Sequence, residues 1–204
     1  MNPLFNQILR IDNANSYDYD AIEVKIVRRL HRNWQMQASY SWSEAFGQAE
    51  FFLSGLGDDP QTVDDEEGYL IYDQRHVLKF QMVTRLPHEI SLGSVVQWAS
   101  GTPWSVIEGV SEYDSTGNII LRTFFPTSQR NDQRNEGAWT IDGRVEKNFV
   151  MGRVQSAAFL NVQNVLNADN LTLISSDLTP FSGLGLEGTR DFGRRFELGA
   201  TFRF

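Results

Sequence analysis

The segment Trp34–Ala45, WQMQASYSWSEA, alternates almost without exception. Trp34, Met36, Ala38, Tyr40 and Trp42 fall at one parity, and Gln35, Gln37, Ser39, Ser41 and Ser43 at the other. Successive side chains of a strand point to opposite faces, so the pattern predicts a strand with one apolar and one polar face; a helix would scatter both sets. Ile22, Val24 and Ile26 alternate in the same way with Glu23 and Lys25, and Leu78, Phe80 and Met82 with Lys79 and Gln81. Ile90, Leu92, Val96 and Trp98 oppose Ser91, Gly93 and Gln97. Trp139, Ile141 and Val145 oppose Thr140, Asp142, Arg144 and Glu146, and Leu198, Ala200, Phe202 and Phe204 oppose Glu197, Gly199, Thr201 and Arg203. With a less regular segment at Val154–Val165, this predicts seven strands, at about 16–30, 34–45, 72–86, 89–105, 138–150, 154–165 and 190–204.

The connections sort by parity. His31–Asn33, Pro87–His88 and Met151–Arg153 are very short, and they alternate with long stretches at about 46–71, 106–137 and 166–189. The long ones are polar and Gly-rich, as in GLGDDPQTVDDEEG. Outer-membrane barrels sort their connections in this way, with short periplasmic turns and long extracellular loops. Trp34 and Trp42 close the two ends of one apolar face. Eight residues at ~3.3 Å each, tilted ~45°, rise roughly 19 Å, close to the ~25 Å apolar band that aromatic girdles flank. Trp98, Trp104, Tyr40 and Phe149 also fall near strand ends. Alternation alone also fits a soluble sandwich or lipocalin-like barrel with the apolar face turned inward; turn parity and the aromatic ends favour the membrane.

Composition narrows the function. The chain has 204 residues, consistent with one domain, and a net charge of −8, which argues against a nucleic-acid partner. No cysteine is present, which removes disulfides, thiolate metal sites and cysteine nucleophiles. The longest uncharged run, 90–107, contains Gly93, Gln97, Gly101 and Pro103 and is no membrane helix. A mean hydropathy of −0.36 does not exclude a barrel, whose strands hide their apolar residues by alternation. The opening MNPLFNQILR shows no signal-peptide pattern.

Candidate chemistry is sparse. His31, His76 and His88 have no ligand spacing, and neither a G-x-S-x-G elbow nor a phosphate or dinucleotide loop occurs, so no cofactor and no enzyme activity are expected. An outer-membrane hydrolase would need a pair such as His76 with Asp73. Asp58, Asp59, Asp64, Asp65, Glu66 and Glu67 form an acidic loop whose oxygens suit Ca²⁺, although a solvated loop is the simpler reading. Arg85, Arg144, Glu146, Arg195, Glu197 and Arg203 fall on the polar parity and are expected to line a lumen, mainly pairing with one another across strands.

The chain ends ELGATFRF, a polar-x-Gly-x-x-aromatic-x-aromatic pattern. It resembles the C-terminal assembly signal of bacterial outer-membrane proteins, with Glu197, Gly199, Phe202 and Phe204 as its residues. Further stretches resemble, in order, the barrel of TonB-dependent receptors of the Oar-like, carboxypeptidase-regulatory-domain type: SYDYDAIEVKIVRRL with its paired Arg, SYSWSEAF, YDQRHVLKF, RLP followed by W-x-SGTPWSV, and FLNVQNVLNADN. The resemblance implies an all-β, antiparallel transmembrane barrel segment of about seven strands in the outer membrane, with residues 1–15 in an outer loop. It also implies partners: outer-membrane lipid, the rest of the receptor barrel and its plug, the barrel-assembly machinery, and TonB through an N-terminal part not seen here. The family's plug, TonB box and signal peptide are missing, and seven is an odd strand count, so the chain reads as a fragment. A soluble β-sandwich or barrel binding domain and a small outer-membrane barrel are the alternatives.

Overall fold

The computed structural model describes residues 16–48, 67–113, 117, 119–124, 129–151, 154–177 and 186–203. All regular structure among them is strand. Seven long strands carry the fold: β1 (Tyr17–His31), β2 (Trp34–Gly47), β4 (His76–Leu86), β5 (Ile90–Ala99), β9 (Ala138–Met151), β10 (Val154–Gln163) and β13 (Arg195–Arg203). They pair antiparallel in the order β1-β2-β4-β5-β9-β10-β13, an up-and-down meander in which each long strand lies beside its predecessor. The seven strands expected from the alternation are these seven.

The long connections hold strands that the alternation did not predict. β3 (Gly68–Tyr69) pairs with the end of β2. β6 (Pro103–Tyr113), β7 (Ile119–Phe124), β8 (Gln133–Arg134), β11 (Leu171–Asp177) and β12 (Leu186–Arg190) lie in the other two excursions. These five form a separate sheet in the order β12-β11-β6-β7, with β8 paired to β6 off that path. Its β6–β11 contact is parallel, pairing Ser105 with Ser175 and Ile107 with Asp177. The expected strand 89–105 is therefore two strands: β5 stops at Ala99, and after a break at Ser100–Thr102 Pro103 opens β6 in the second sheet. The strand expected from 72 begins at His76, because the chain turns at Ile71–Tyr72 and stays irregular to Arg75, and the one expected from 190 begins at Arg195.

The short connections are tight. Arg32 and Asn33, between β1 and β2, both have positive φ, of 50° and 73°. That is the signature of a type I′ hairpin, whose twist matches the flanking strands. His88 (φ 66°) and Glu89 (φ 59°) turn the β4–β5 hairpin, which spans 87–89 rather than the two residues expected. Met151 pairs with Val154 across the third. A bulge interrupts β1 between Arg28 and His31.

Register aligns the apolar positions into continuous rows. Val24, Tyr40, Leu78, Trp98 and Trp139 lie side by side, and so do Ile26, Ala38, Phe80, Val96 and Ile141. Leu92, Val145, Leu160 and Leu198 continue the face to β13. Among the described residues no second layer covers it: Ile22 is 63% exposed, Phe196 68% and Leu198 82%. A monomer in water rarely shows an apolar patch beyond a few hundred Å², and this one crosses seven strands. Lipid is the solvent that fits it. Among the described residues the largest fully buried side chains, Leu70, Asp73 and Pro103, sit at the long-connection end, so the packed core belongs to that rim rather than to the sheet.

Candidate functional site

Three surfaces follow from this register. The apolar face carries an aromatic girdle near the long-connection rim. Tyr40 stacks on His76 (6.1 Å between ring centroids), His76 on Trp98 (6.3 Å), and Trp98 packs tilted against Trp139 (5.8 Å). The Tyr40 hydroxyl and His76 Nδ1 are hydrogen-bonded at 2.8 Å. His76 is thus a polar-tipped member of the girdle, where an amphipathic ring is at home. Trp34 and Phe149 hold the same face near the short turns.

The polar face carries a ladder across β9, β10 and β13. Arg144 Nη2 donates to Glu146 at 2.5 Å and Nη1 to Asn161 Oδ1 at 3.0 Å, and Asn161 Nδ2 donates to Glu197 at 2.8 Å. The Arg144 guanidinium also lies 3.9 Å from the Phe159 ring centroid. Of the charged residues expected to pair across strands, Arg144 and Glu146 pair within β9, and Glu197 is joined to Arg144 only through Asn161. Arg85 (opposite Ser91), Arg195 (opposite Gln163) and Arg203 (opposite Gln155) share this face. Where β9, β10 and β13 approach the rim, a polar cleft opens among Thr140, Asp142, Gln163, Asp191 and Arg195.

The third surface is the rim itself. Asp73 is buried to 1% exposure at the turn before β4. Its carboxylate accepts from Arg134 Nη2 at 2.6 Å and from the backbone N–H of Ala45 at 2.9 Å, and Arg75 lies 3.6 Å away. Arg134 also donates to the carbonyls of Asp73 and Gly101. Arg75 and Arg134 both lie over the Tyr69 ring. Burial alone would lower the Arg75 pKa, but the Tyr69 hydroxyl and the carboxylates of Asp73 and Glu44 outweigh it and raise that pKa. Four residues earlier the pattern repeats: Arg130 donates to the carbonyls of Gly47 and Gln48, and Asn131 bonds Tyr69 and Ser105. Asn135 donates to Thr102. Glycines let the backbones meet: a Cβ on Gly68 would lie 2.3 Å from the Arg130 carbonyl oxygen, and one on Gly101 1.8 Å from that of Asn135.

In the sequence, Arg130, Asn131, Arg134 and Asn135 belong to a long polar connection and no pattern assigns them a role. The tandem Gln129-Arg130-Asn131 and Gln133-Arg134-Asn135 was the available signal. The motif stretches converge on this rim as well. Asp73, Arg75 and His76 come from one, Gly101 to Ser105 from another, and Asn164 and Asn167, both with positive φ, from a third. Asn164 bonds Asp142, Ala168 and Phe192 and so fixes the exit from β10. The suggested His76–Asp73 pair is drawn apart, His76 to Tyr40 and Asp73 to Arg134.

Of the proposed assembly residues, Glu197 is on the polar face bonded to Asn161, Gly199 lies against Phe159, and Phe202 is exposed on the apolar face opposite Ser156. Phe204, residues 1–15 and Asp58, Asp59, Asp64, Asp65 and Glu66 lie outside the described residues; Glu67 is exposed. Among the described residues no group of three His, Cys, Asp or Glu is placed to hold a metal ion.

A family model described as an outer membrane beta barrel domain matches residues 1–123, more than half of the chain. Solved structures are similar in fold: the FpvAI–pyocin S2 complex, P. aeruginosa FpvA bound to heterologous pyoverdines, and the ferripyoverdine receptor of the outer membrane of Pseudomonas aeruginosa bound to ferripyoverdine. Each has a TM-score of 0.53 and 13% identity over 90% of this chain. The chain spans 19% of the length of each of those proteins. No curated protein matches the sequence.

Proposed function

The chain belongs to the outer membrane beta barrel domain family, and from that premise we propose that it forms part of the barrel wall and outer rim of a TonB-dependent receptor that takes up a large ligand. Its place is the outer membrane. The observation that carries the receptor reading is the open sheet: β1 and β13 end the strand order, and among the described residues neither pairs with a further long strand. Seven strands with two free edges need more wall, since an unpaired edge has no water to satisfy it in lipid. The likeness to an outer-membrane receptor fold supports the same reading. In it, the polar face lines the lumen around a plug, and the rim with its second sheet presents loops to the ligand. No chemical step is assigned to the chain; His76 and Asp73 are committed to structural partners.

The test uses the absence of native cysteine. Gln97→Cys, on the lumen face, should crosslink to a plug segment of the parent polypeptide, and Val96→Cys, on the lipid face, should not. A Gln97→Cys protein that instead reacts freely with a water-soluble maleimide and yields no crosslink would replace the receptor with a small open barrel.

A further inference from the structure

Charge on the lipid-facing side is segregated by end. At the long-connection end its charges are Asp18, Asp20 and Glu44, which register with one another and with Phe46. Toward the short turns they are Arg28, opposite Met36, and Lys147, opposite Ile90. Between these two levels the described outward positions carry no Asp, Glu, Lys or Arg. Arg28 is the better defined of the two cations. Its guanidinium lies 3.8 Å from the Trp34 ring centroid, and Nη2 reaches the His31 carbonyl at 3.4 Å. Its Nε is buried without a hydrogen-bond partner. The bulge in β1 follows it directly and leaves the adjacent Arg29 without a register partner on β2. From Val24 to Ser43 the chain carries Lys25, Arg28, Arg29 and Arg32 and no acidic residue. A guanidinium at the edge of hydrocarbon needs a counter-ion, and this stretch supplies none.

We infer that Arg28, stacked on Trp34 and flanked by Arg29, is a binding site for the phosphate of an anionic phospholipid in the leaflet on the short-turn side. The guanidinium fork matches phosphate oxygens in a bidentate way, and weak hydration lets it do so beside apolar chains. Trp34 fixes the plane of the fork through its ring face and marks the interface level at which headgroups lie. Arg32 follows in the short turn. The inference rests on the reading of the apolar face as lipid-facing.

The probe is phosphatidylglycerol added to the delipidated full-length parent protein in detergent, with bound lipid counted by native mass spectrometry. Phosphatidylglycerol is expected to remain bound several-fold more than phosphatidylcholine. Arg28→Gln should lower the phosphatidylglycerol adduct about fivefold or more, and Arg28→Lys by less. Lys25→Gln removes the same charge from the lumen face, opposite Ser39, and should leave the adduct unchanged. Equal adducts in wild type and Arg28→Gln, or an equal fall with Lys25→Gln, overturn the site. Heat-modifiable migration of each variant from outer membranes is measured first. Its absence in the wild type would sink the barrel reading itself, whereas normal migration with an unchanged Arg28→Gln adduct sinks only the lipid site.

Discussion

The ring of Phe159 on β10 occupies the space that a side chain on Gly199 of β13 would fill. A Cβ built at Gly199 would lie 2.3 Å from Phe159 Cζ, and the two residues are direct cross-strand partners. The Arg144 guanidinium lies over the same ring. The glycine of the terminal motif therefore has a local reason: an aromatic from the neighbouring strand shields the bare backbone and packs where a side chain is missing.

Gly199→Val should then force the Phe159 ring aside and disturb the Arg144–Asn161–Glu197 ladder. Overpacking of this kind costs about 1–3 kcal/mol. The Phe159→Ala, Gly199→Val double variant should recover part of the loss, measured as the urea midpoint of the folded, heat-modifiable form. Strictly additive losses would show that the two residues do not share the site.

Phe80 and Gln81 are chain neighbours on opposite faces, registered with Val96 and Val95. Phe80→Arg should cost ~2–4 kcal/mol if that face meets lipid at mid-membrane, and Gln81→Arg much less. Urea unfolding from detergent–lipid vesicles measures the difference. Equal tolerance would reverse the assignment of faces.

Sidedness follows from the alternation of connection lengths. Glu67→Cys, at the exposed end of the first long connection, should react with a membrane-impermeant maleimide on intact cells. Arg32→Cys, in the I′ turn, should react only after the outer membrane is permeabilised. The opposite result would invert the topology.

The sheet was legible because a strand with one wet and one lipid-facing side writes itself into the chain at period two. Trp34–Trp42 shows this residue by residue. The rim's internal bonding was not legible. Arg134 meets Asp73 across 61 positions and Arg130 meets Gly47 across 83, and no local period encodes such a contact. Strands inside the long excursions were missed for a related reason: β6 through β8 pair with one another and with β11, not with the barrel sheet, so no common apolar face marks them.

The rim contacts make Asp73 the residue on which the second long excursion hangs. Asp73→Asn keeps the size of the side chain and its bond to the Ala45 N–H but removes the charge that Arg134 and Arg75 meet. A buried donor left poorly satisfied costs about 1–3 kcal/mol, and the loss here falls on the loop rather than on the sheet, because the seven long strands retain their ladders. Hydrogen exchange should therefore speed up in β8 and at the start of β6 while β4 and β5 keep their protection. Insertion into the outer membrane should be unaffected, since the lipid-facing rows are untouched. Arg134→Gln should reproduce the same exchange pattern, and the double variant should add little to either single one, because both break one contact. Exchange that rises equally in β4, β5 and β8 would mean that Asp73 supports the barrel wall as a whole, and that the rim is not a separately held unit.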